Sequence, residues 1–373
     1  MDTKKIKVLE FFGEPLNYGG QEAFITNLYS NINKDKIDFT FITPFKCTNM
    51  KLVELINKFG GTLIAENQNF NSKFRKKYII MTAKKYINDK FDVVHINSGS
   101  IFTLFNVAKI SKKNGVKKVI THSHAGGEVN LKYKVMKYYS DKNISKYADY
   151  FFACSELAGK WKYPENVLKS DKYFVIKNGI NLKQYSYNEE KAREYRKKFK
   201  YNDEHILINV GRFSKQKNQL FLLDIFNETL KKDKKARLLM VGGEGEKLGE
   251  IEAKIEELKL KSYVQILQDR NDVSELINMC DVFILPSLWE GLPVTGVEAQ
   301  ANGLPCIFSD AISDEMNISS VYYKLSLNDS AKVWSKKVIS LFENKRKDTY
   351  NEIKKNGFDI LDVCNFIEKI YTN

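Results

Sequence analysis

The sequence predicts an α/β fold of two Rossmann-like, doubly wound domains that face each other across a cleft, with helices at the C-terminus. Three observations lead to this prediction. Short apolar runs alternate with helical patterns along the chain, and this alternation restarts near the middle. The length of 373 residues suits two domains of roughly 150 to 200 residues each.

The first domain is predicted over residues 1–180. Its apolar runs "KIKVLEFFG", "DFTFITP", "FDVVHINSG" and "KKVITHSHAGG" are each followed by a segment with helical periodicity. Parallel strands joined by crossover helices produce this pattern. A last run, "YFVIKNGINLKQYS", ends the series.

The second domain is predicted over residues 181–373. The charged stretch "NEEKAREYRKKFKYNDEH" interrupts the alternation, which resumes at "ILINVGRFSKQKNQLFLLDIFNETL" and continues to "PCIFSD". The remaining C-terminal segment reads as helical, and the prediction allows its last helix to pack back against the first domain.

The cysteine pattern indicates a reducing compartment. The five cysteines are scattered and lack a C-x-x-C pair, so neither a disulfide framework nor a zinc site is predicted. No apolar stretch reaches the length of about 18 residues that a membrane span needs, and the N-terminal run is too short for a signal peptide. We therefore expect a cytoplasmic protein, either free or peripheral on the inner face of the membrane.

Positive charge is concentrated in the first half of the chain. Residues 1–180 contain 30 Lys and Arg against 16 Asp and Glu, whereas residues 181–373 contain 30 against 30. The surplus indicates an anionic partner or simply a well-solvated, lysine-rich surface. Two basic segments that contain aromatic residues, "KFRKKYIIMTAKKYINDK" and "LKYKVMKYYSDKNISKY", fit helices lying on an anionic membrane surface, or helices whose apolar residues face the core.

The stretch "EGLPVTGVEAQANGLP", residues 290–305, carries the strongest chemical signal. Glu290 follows the buried strand "DVFILPS", and Pro293 and Gly303 bound a short predicted helix that contains Glu298. Free amides at a helix N-terminus bind anions, and carboxylates accept hydrogen bonds from sugar hydroxyls. The alternative is an exposed loop carboxylate and a solvated helix residue.

This stretch closely resembles the E-x7-E element of the GT-B fold glycosyltransferases of family 4, which are retaining enzymes that use nucleotide sugars. Three further segments resemble elements of that family in the same order. "NYGGQEAFITNL" is similar to its N-terminal Gly-Gly loop, "IKNGIN" to its interdomain linker, and "VGRFSKQKN" to its Gly-Arg and Lys-Gly element.

The resemblance implies roles for individual residues of the second domain. Glu298 would bind the donor ribose, Glu290 would contact the donor sugar, and Arg212 and Lys217 would bind the diphosphate. Fixed cations can stabilise a departing nucleoside diphosphate, so no metal or other cofactor is predicted. The donor site would be completed by the loop glycine and by the residues after the first glutamate: Gly243, Gly291, Leu292, Pro293, Val294 and Thr295.

In the first domain the resemblance implies that Gly19 and Gly20 approach a phosphate or the acceptor at the start of a helix. It also implies a histidine near the transferred sugar, which is matched best by His124, with His122 as the other candidate. Ordinary turn glycines and a structural histidine pair are the alternatives.

The sequence departs from the family pattern at several positions. Lys177 and Asn181 alter the linker, Asn218 replaces a glycine after Lys217, and Gln268 stands where glycine is common near the base site. These departures leave the predicted fold unchanged.

We therefore predict a glycosyltransferase that moves a sugar from a nucleotide donor, expected to be a UDP-sugar, to a hydroxyl of a glycan or lipid-linked acceptor. The setting would be exopolysaccharide or capsule biosynthesis, and retention of configuration is implied by the resemblance alone. A sugar-nucleotide epimerase of the same fold and a non-catalytic subunit of a glycan-building complex are the alternatives. No nucleic-acid partner is predicted, because no base-stacking platform accompanies the positive charge.

Overall fold

The computed structural model describes residues 5–17, 19–124, 131–243 and 245–373, with the side chains of residues 131 and 132 also left undescribed. The chain divides into two compact units. Unit 1 comprises Met1–Gly179 and Asp359–Asn373, and unit 2 comprises Ile180–Phe358. The segment "AGG" after His124 and Glu244 of the glycine loop lie outside the described residues.

Unit 1 contains a seven-stranded, all-parallel sheet with the order β3-β2-β1-β4-β5-β6-β7. The strands are β1 Ile6–Phe12, β2 Ile37–Phe45, β3 Thr62–Gln68, β4 Val93–Ser98, β5 Lys118–Ser123, β6 Tyr150–Ala153 and β7 Tyr173–Val175. The helices that connect them are α1 Gly20–Asn31, α2 Met50–Lys58, α3 Arg75–Tyr86, α4 Ile101–Lys113, α5 Leu131–Asn143, α6 Glu156–Lys162 and α7 Glu165–Leu168.

The two faces of the unit 1 sheet carry separate apolar clusters, because neighbouring residues of a strand point to opposite faces. Val8 and Phe12 of β1 belong to the cluster that includes α1 and α2. Leu9 and Phe11 belong to the cluster on the other face, which includes α3 and α4. The central strands are therefore buried on both faces, as their continuous apolar sequences predicted.

Unit 2 contains a six-stranded, all-parallel sheet with the order β10-β9-β8-β11-β12-β13. Its strands are β8 His205–Val210, β9 Ala236–Gly242, β10 Val264–Gln268, β11 Val282–Leu285, β12 Cys306–Ser309 and β13 Tyr322–Leu325. Its helices are α8 Leu182–Tyr185, α9 Glu189–Lys198, α10 Gln219–Lys232, α11 Leu248–Glu257, α12 Val273–Met279, α13 Val294–Ala301, α14 Ala331–Leu341 and α15 Tyr350–Lys355.

The last helix, α16 Ile360–Thr372, belongs to unit 1. It buries a stripe of residues spaced three and four apart, Ile360, Val363, Ile367 and Tyr371, in the cluster that includes α1. The sequence assigned residues 181–373 to the second domain and allowed its last helix to pack back on the first. The structure groups residues 359–373 with unit 1.

Each sheet reverses its strand order at one point, between β1 and β4 in unit 1 and between β8 and β11 in unit 2. Loops at the carboxyl ends of such strand pairs form the ligand site of doubly wound folds. The predicted fold class, two Rossmann-like doubly wound domains, is confirmed. Across the described residues, no helix has the length and apolar character needed to cross a membrane.

Candidate functional site

Lys217 and Glu290 form an ion pair in unit 2, with 2.7 Å between Nζ and Oε1. Their side chains are only 13% and 11% exposed. Ser287 adds a hydrogen bond to the same carboxylate oxygen at 3.3 Å. Lys217 follows β8 and Glu290 follows β11, so the pair joins the two loops at the point where the strand order reverses. Because water screens this pair less than an exposed one, the attraction between the two charges holds both side chains at this edge of the sheet.

Backbone and amide contacts hold these two loops together. Gln216 donates from Nε2 to the Trp289 carbonyl at 2.9 Å, and its own carbonyl accepts from Leu288 N at 2.8 Å. Asn218 donates from Nδ2 to the Pro286 carbonyl at 3.1 Å. Lys217, which lies between Gln216 and Asn218, therefore has a fixed backbone position.

Asn218, one of the departures from the family pattern, lies in the left-handed region with φ of 55°. Glycine adopts this conformation without cost, and asparagine is one of the few other residues that tolerate it. The substitution therefore keeps the turn before α10, and it adds the side-chain hydrogen bond to Pro286.

Glycines allow the loops after β8 and β9 to approach closely. A Cβ atom on Gly211 would lie 2.7 Å from Cε of Lys217. A Cβ on Gly242 would overlap the carbonyl oxygen of Gly211, and one on Gly245 would overlap that of Phe213. The glycine loop thus supports the segment that carries Arg212. Gly243, the predicted donor contact, lies in this loop, where a Cβ would be 3.3 Å from Oδ1 of Asp269.

Arg212 has an exposed side chain, while its backbone is held in place. Its carbonyl accepts a hydrogen bond from Gln219 Nε2 at 2.8 Å. The next carbonyl, that of Phe213, accepts from Lys247 N at 3.0 Å. An exposed guanidinium on a fixed backbone can bind an anion from solution with little rearrangement.

Glu298 lies within α13 and accepts a hydrogen bond at Oε1 from the hydroxyl of Tyr185, at 2.7 Å. Burial, and then the neighbouring charge of Glu298, raise the pKa of Tyr185, so this hydroxyl stays protonated and donates. Tyr185 is the last residue of α8. It was not predicted as a site residue, because its position after the linker element is its only distinguishing feature in the sequence.

The predicted short helix is α13, preceded by Pro293 and followed by Gly303, which has φ of 69°. Thr295 donates to the Val210 carbonyl at the end of β8, at 3.3 Å. Among the other predicted contacts, Gly291 is exposed, and Leu292 and Val294 are partly buried. The start of α13 therefore lies at the same edge as the loop after β8.

In unit 1, Gly19 and Gly20 are exposed at the start of α1. A Cβ on Gly19 would lie 2.8 Å from Oε2 of Glu22, and the Gly20 carbonyl accepts from Asn178 Nδ2 at 3.3 Å. The absence of a side chain on Gly19 therefore leaves room for the Glu22 carboxylate.

The two histidines at the end of β5 occupy different environments. His122 is fully buried, and burial, with the nearby His124 and His95, lowers its pKa well below the usual range. His124 is partly exposed, and burial of its ring, followed by the charge of His95, lowers its pKa to about 3. Its Nε2 lies 2.8 Å from Oδ1 of Asn97. Of the two candidates, His124 is the one that is partly exposed, and its lowered pKa keeps the ring neutral at pH 7.

No three His, Cys, Asp or Glu side chains in the described part of the chain are arranged to hold a metal ion. Independence from metal stays a prediction, to be tested directly.

Comparison with known families agrees with this geometry. The family described as Glycosyltransferase Family 4 matches residues 18–184, and that described as Glycosyl transferases group 1 matches residues 190–359. The chain is 30% identical over 346 residues to the putative glycosyltransferase EpsF of Bacillus subtilis, covering 91% of this chain and 88% of the relative.

Two other relatives carry more specific names. The UDP-Gal:alpha-D-GlcNAc-diphosphoundecaprenol alpha-1,3-galactosyltransferase of Escherichia coli is 27% identical over 79% of each chain. The capsular polysaccharide biosynthesis glycosyltransferase CapH of Staphylococcus aureus is 26% identical over 98% of each chain.

A solved structure has the same fold over nearly the whole length. Anabaena Alr3699/HepE in complex with UDP superposes with a TM-score of 0.73 and 16% identity, covering 98% of this chain and 99% of that protein. The two Rossmann-like units, the two family matches and the relative EpsF together identify a glycosyltransferase of the GT-B class. The chain belongs to family 4 of these enzymes.

Proposed function

We propose that the protein transfers a sugar from a UDP-sugar to a hydroxyl of a lipid-linked glycan, with retention of configuration and without a metal. The observation that carries the proposal is the partly buried Lys217–Glu290 pair at the strand reversal of unit 2. Two similar proteins support it. One is named as a UDP-Gal-dependent transferase that acts on a diphosphoundecaprenol-linked sugar. The structure of the other was solved in complex with UDP.

In this proposal each residue has one task. Lys217 and Arg212 stabilise the negative charge that develops on the diphosphate as the sugar departs. Glu290, oriented by Lys217, accepts a hydrogen bond from a sugar hydroxyl, while Glu298, oriented by Tyr185, accepts from the ribose. Because the cations are positioned before the reaction, little rearrangement accompanies charge development.

Turnover of purified protein tests the proposal. A panel of UDP-, GDP- and ADP-sugars is offered with and without a diphospholipid-linked sugar acceptor, in EDTA, and nucleotide release is measured. We expect release of UDP that depends on the acceptor. Lys217→Met should lower it about 100-fold, since one charged hydrogen bond is worth about 1.5–3 kcal/mol.

The chain offers a matched control for this substitution. Lys254 of α11 forms an ion pair with Asp224 of α10 at the same distance of 2.7 Å. Lys254→Met should leave turnover within about twofold. Interconversion of the UDP-sugar without acceptor would indicate an epimerase, and nucleotide binding without any turnover would indicate a non-catalytic subunit. Either result would overturn the proposed reaction.

We further propose that unit 1 lies on an anionic membrane surface through α3 and α5. Both helices pack beside α4, and their outer faces expose lysines and large apolar side chains. The exposed apolar residues are Phe74 and Met81 of the α3 region and Val135, Tyr138 and Tyr139 of α5. Aromatic and apolar groups at the interface, together with cations near the headgroups, bind anionic bilayers.

Cosedimentation with lipid vesicles tests whether this surface binds an anionic membrane. Phosphatidylglycerol vesicles should bind the protein at low salt, whereas phosphatidylcholine vesicles should not. The double substitution Val135→Ser with Tyr138→Ser should weaken binding about tenfold, because it removes two interfacial anchors. Val333→Ser, at a 41% exposed valine of unit 2, serves as the control. Equal binding to both kinds of vesicle would contradict the proposal.

A further inference from the structure

A buried polar network lies beneath His124 in unit 1. Glu10, His95, Asn97 and His122 have no exposed surface, and all lie on the sheet face that α1 and α16 cover. They come from three adjacent strands, with Glu10 beside His95 and Asn97 beside His122 in the register. Burying so many polar groups is costly unless each finds a partner. The functions proposed above use none of these four residues.

The directions of the hydrogen bonds at Glu10 and His124 follow from the amide of Asn97, whose Nδ2 donates and whose Oδ1 accepts. Its Oε2 accepts from Nδ2 of Asn97 at 2.7 Å. The Asn97 amide is thereby oriented with its oxygen, Oδ1, toward Nε2 of His124, at 2.8 Å. Because an amide oxygen cannot donate, Nε2 of His124 must carry the hydrogen.

The other oxygen of Glu10 is held from the C-terminal helix. Its Oε1 accepts from the hydroxyl of Tyr371 at 2.7 Å. The hydroxyl oxygen lies 2.6 Å from Nδ1 of His95, which therefore donates to it. His95 then accepts at Nε2 from Nδ1 of His122, at 3.2 Å. This assignment leaves Nε2 of His122 as a bare lone pair, and that atom is buried without a partner among the described residues.

The hydrogen bond between Asn97 and Nε2 of His124 determines what His124 can do. A neutral imidazole that carries hydrogen on Nε2 has a lone pair on Nδ1. That atom has no hydrogen-bond partner among the residues that the structure describes, and His124 as a residue is partly exposed. His124 is packed against Phe24 at 5.4 Å and His122 at 4.1 Å between ring centroids, which limits its rotation.

We propose that Glu10 is a positioning residue that acts through Asn97 to hold His124 as the Nε2–H tautomer, so that Nδ1 accepts a hydrogen bond from a hydroxyl of the sugar ligand. The identity of the ligand rests on the proposed function, while the tautomer does not. His124 is then a hydrogen-bond acceptor that orients a hydroxyl, and it is neither a proton donor nor a cation for the diphosphate.

The tautomer is measured on the free protein by long-range proton–nitrogen NMR of ¹⁵N-histidine-labelled samples. The chain has four histidines, so His124→Gln and His205→Gln assign the signals. For His124 we expect a pyrrole-like Nε2 and a pyridine-like Nδ1. The reverse pattern, or two protonated nitrogens at neutral pH, would overturn the proposal.

Two variants separate positioning from simple structural support. Asn97→Leu removes the acceptor for Nε2, so the His124 signals should move to the averaged values of a tautomer mixture. Turnover should fall about tenfold in kcat with little change in KM for the nucleotide sugar, since one hydrogen bond is lost. Tyr371→Phe removes a bond to the other oxygen of Glu10 and should leave the His124 tautomer unchanged.

The outcomes distinguish this inference from the proposed function. If Asn97→Leu keeps the wild-type tautomer, Asn97 does not position His124, and the inference fails whatever the activity. If the tautomer responds as expected but the wild-type protein turns over no nucleotide sugar, the proposed function fails and the positioning of His124 stands.

Discussion

Tyr185 donates a hydrogen bond to Glu298, the glutamate proposed to hold the ribose. Tyr185→Phe keeps the ring and removes this donor, so the carboxylate loses its fixed orientation. We expect the affinity for UDP to fall about tenfold, which corresponds to about 1.4 kcal/mol. Calorimetric titration measures this effect. Tyr201→Phe, which removes only a 3.5 Å contact to Gln265, is the control, and equal affinity of both variants would contradict the role of Tyr185.

The carboxyl group of Glu14 makes the stability of the fold depend on pH. Burial raises the pKa of its carboxyl to about 7, although Ser98 donates to Oε1 at 2.8 Å and Arg75 opposes the shift. The folded state therefore holds a proton that the unfolded chain releases above its ordinary pKa of 4.5. By linkage, this group makes the fold less stable as the pH rises from about 4.5 through about 7.

Glu14→Gln removes this titration. The stability of the variant relative to the wild-type protein should therefore increase between pH 5 and pH 8, as measured by urea unfolding at both values. Other titrating groups cancel in the comparison because both proteins contain them. A stability difference that is the same at the two pH values would show that Glu14 does not bind a proton on folding.

At the level of single residues, the sequence predicted site roles for Lys217, Glu290, Glu298 and Arg212 but could not show which of them touch. The ion pair of Lys217 with Glu290 depends on β8 and β11 being neighbours, which is a property of the sheet. Tyr185 carries no signal of its own, because a tyrosine in a short amphipathic segment ordinarily indicates packing.

The loops after β8 and β9 approach each other closely, so a larger residue in one loop should displace the other. A Cβ on Gly245 would overlap the Phe213 carbonyl, so Gly245→Ala must displace the loop that carries Arg212. We expect a loss of about 1–3 kcal/mol in the free energy of unfolding and weaker UDP binding. Chemical unfolding and calorimetry measure the two effects.

Gly249 is the matched control. It lies in α11, and a Cβ added there would have nothing within 4 Å, so Gly249→Ala should stabilise the helix by up to about 1 kcal/mol and leave UDP binding unchanged. If both alanine variants behaved alike, close approach of the two loops would not explain the glycine at position 245.

The accuracy of the predicted strands depended on how continuous their apolar sequences are. The apolar sequences of β1, β4, β8 and β11 marked the central strands, which are buried on both faces. The edge strands β3 and β13 were not singled out, because they mix polar with apolar residues, whereas the equally peripheral β7 was marked by its apolar run. The helix after Glu290 was predicted well, since proline and glycine mark its two ends.

In the whole molecule, the C-terminal helix α16 belongs to unit 1, which its sequence pattern alone could not predict. The apolar stripe of α16 would fit the core of either unit, so its periodicity predicts a helix but not a partner. In the structure this stripe completes the unit 1 core, and Tyr371 reaches the buried carboxylate of Glu10. A segment distant in sequence thus joins the network that holds His124.

The distribution of charge is also a property of the whole molecule. The excess of Lys and Arg in residues 1–180 was visible in the sequence, but its arrangement beside exposed apolar side chains on α3 and α5 required the structure. Periodicity left two interpretations of these helices open. The structure shows that one side of α3 packs in the core through Ile79 and Ala83, while Met81 remains exposed.

We infer that unit 2 binds a uridine diphosphate through Lys217 and Glu298 without a metal. The most direct measurement is calorimetric titration of UDP, GDP and ADP in EDTA into the wild-type protein, Lys217→Met, Glu298→Gln and the control Lys254→Met. We predict that UDP binds best, that the first two variants each bind it at least tenfold more weakly, and that Lys254→Met binds it normally. Absence of nucleotide binding to the wild-type protein, or equal binding by all four proteins, would show that Lys217 and Glu298 do not form a nucleotide site.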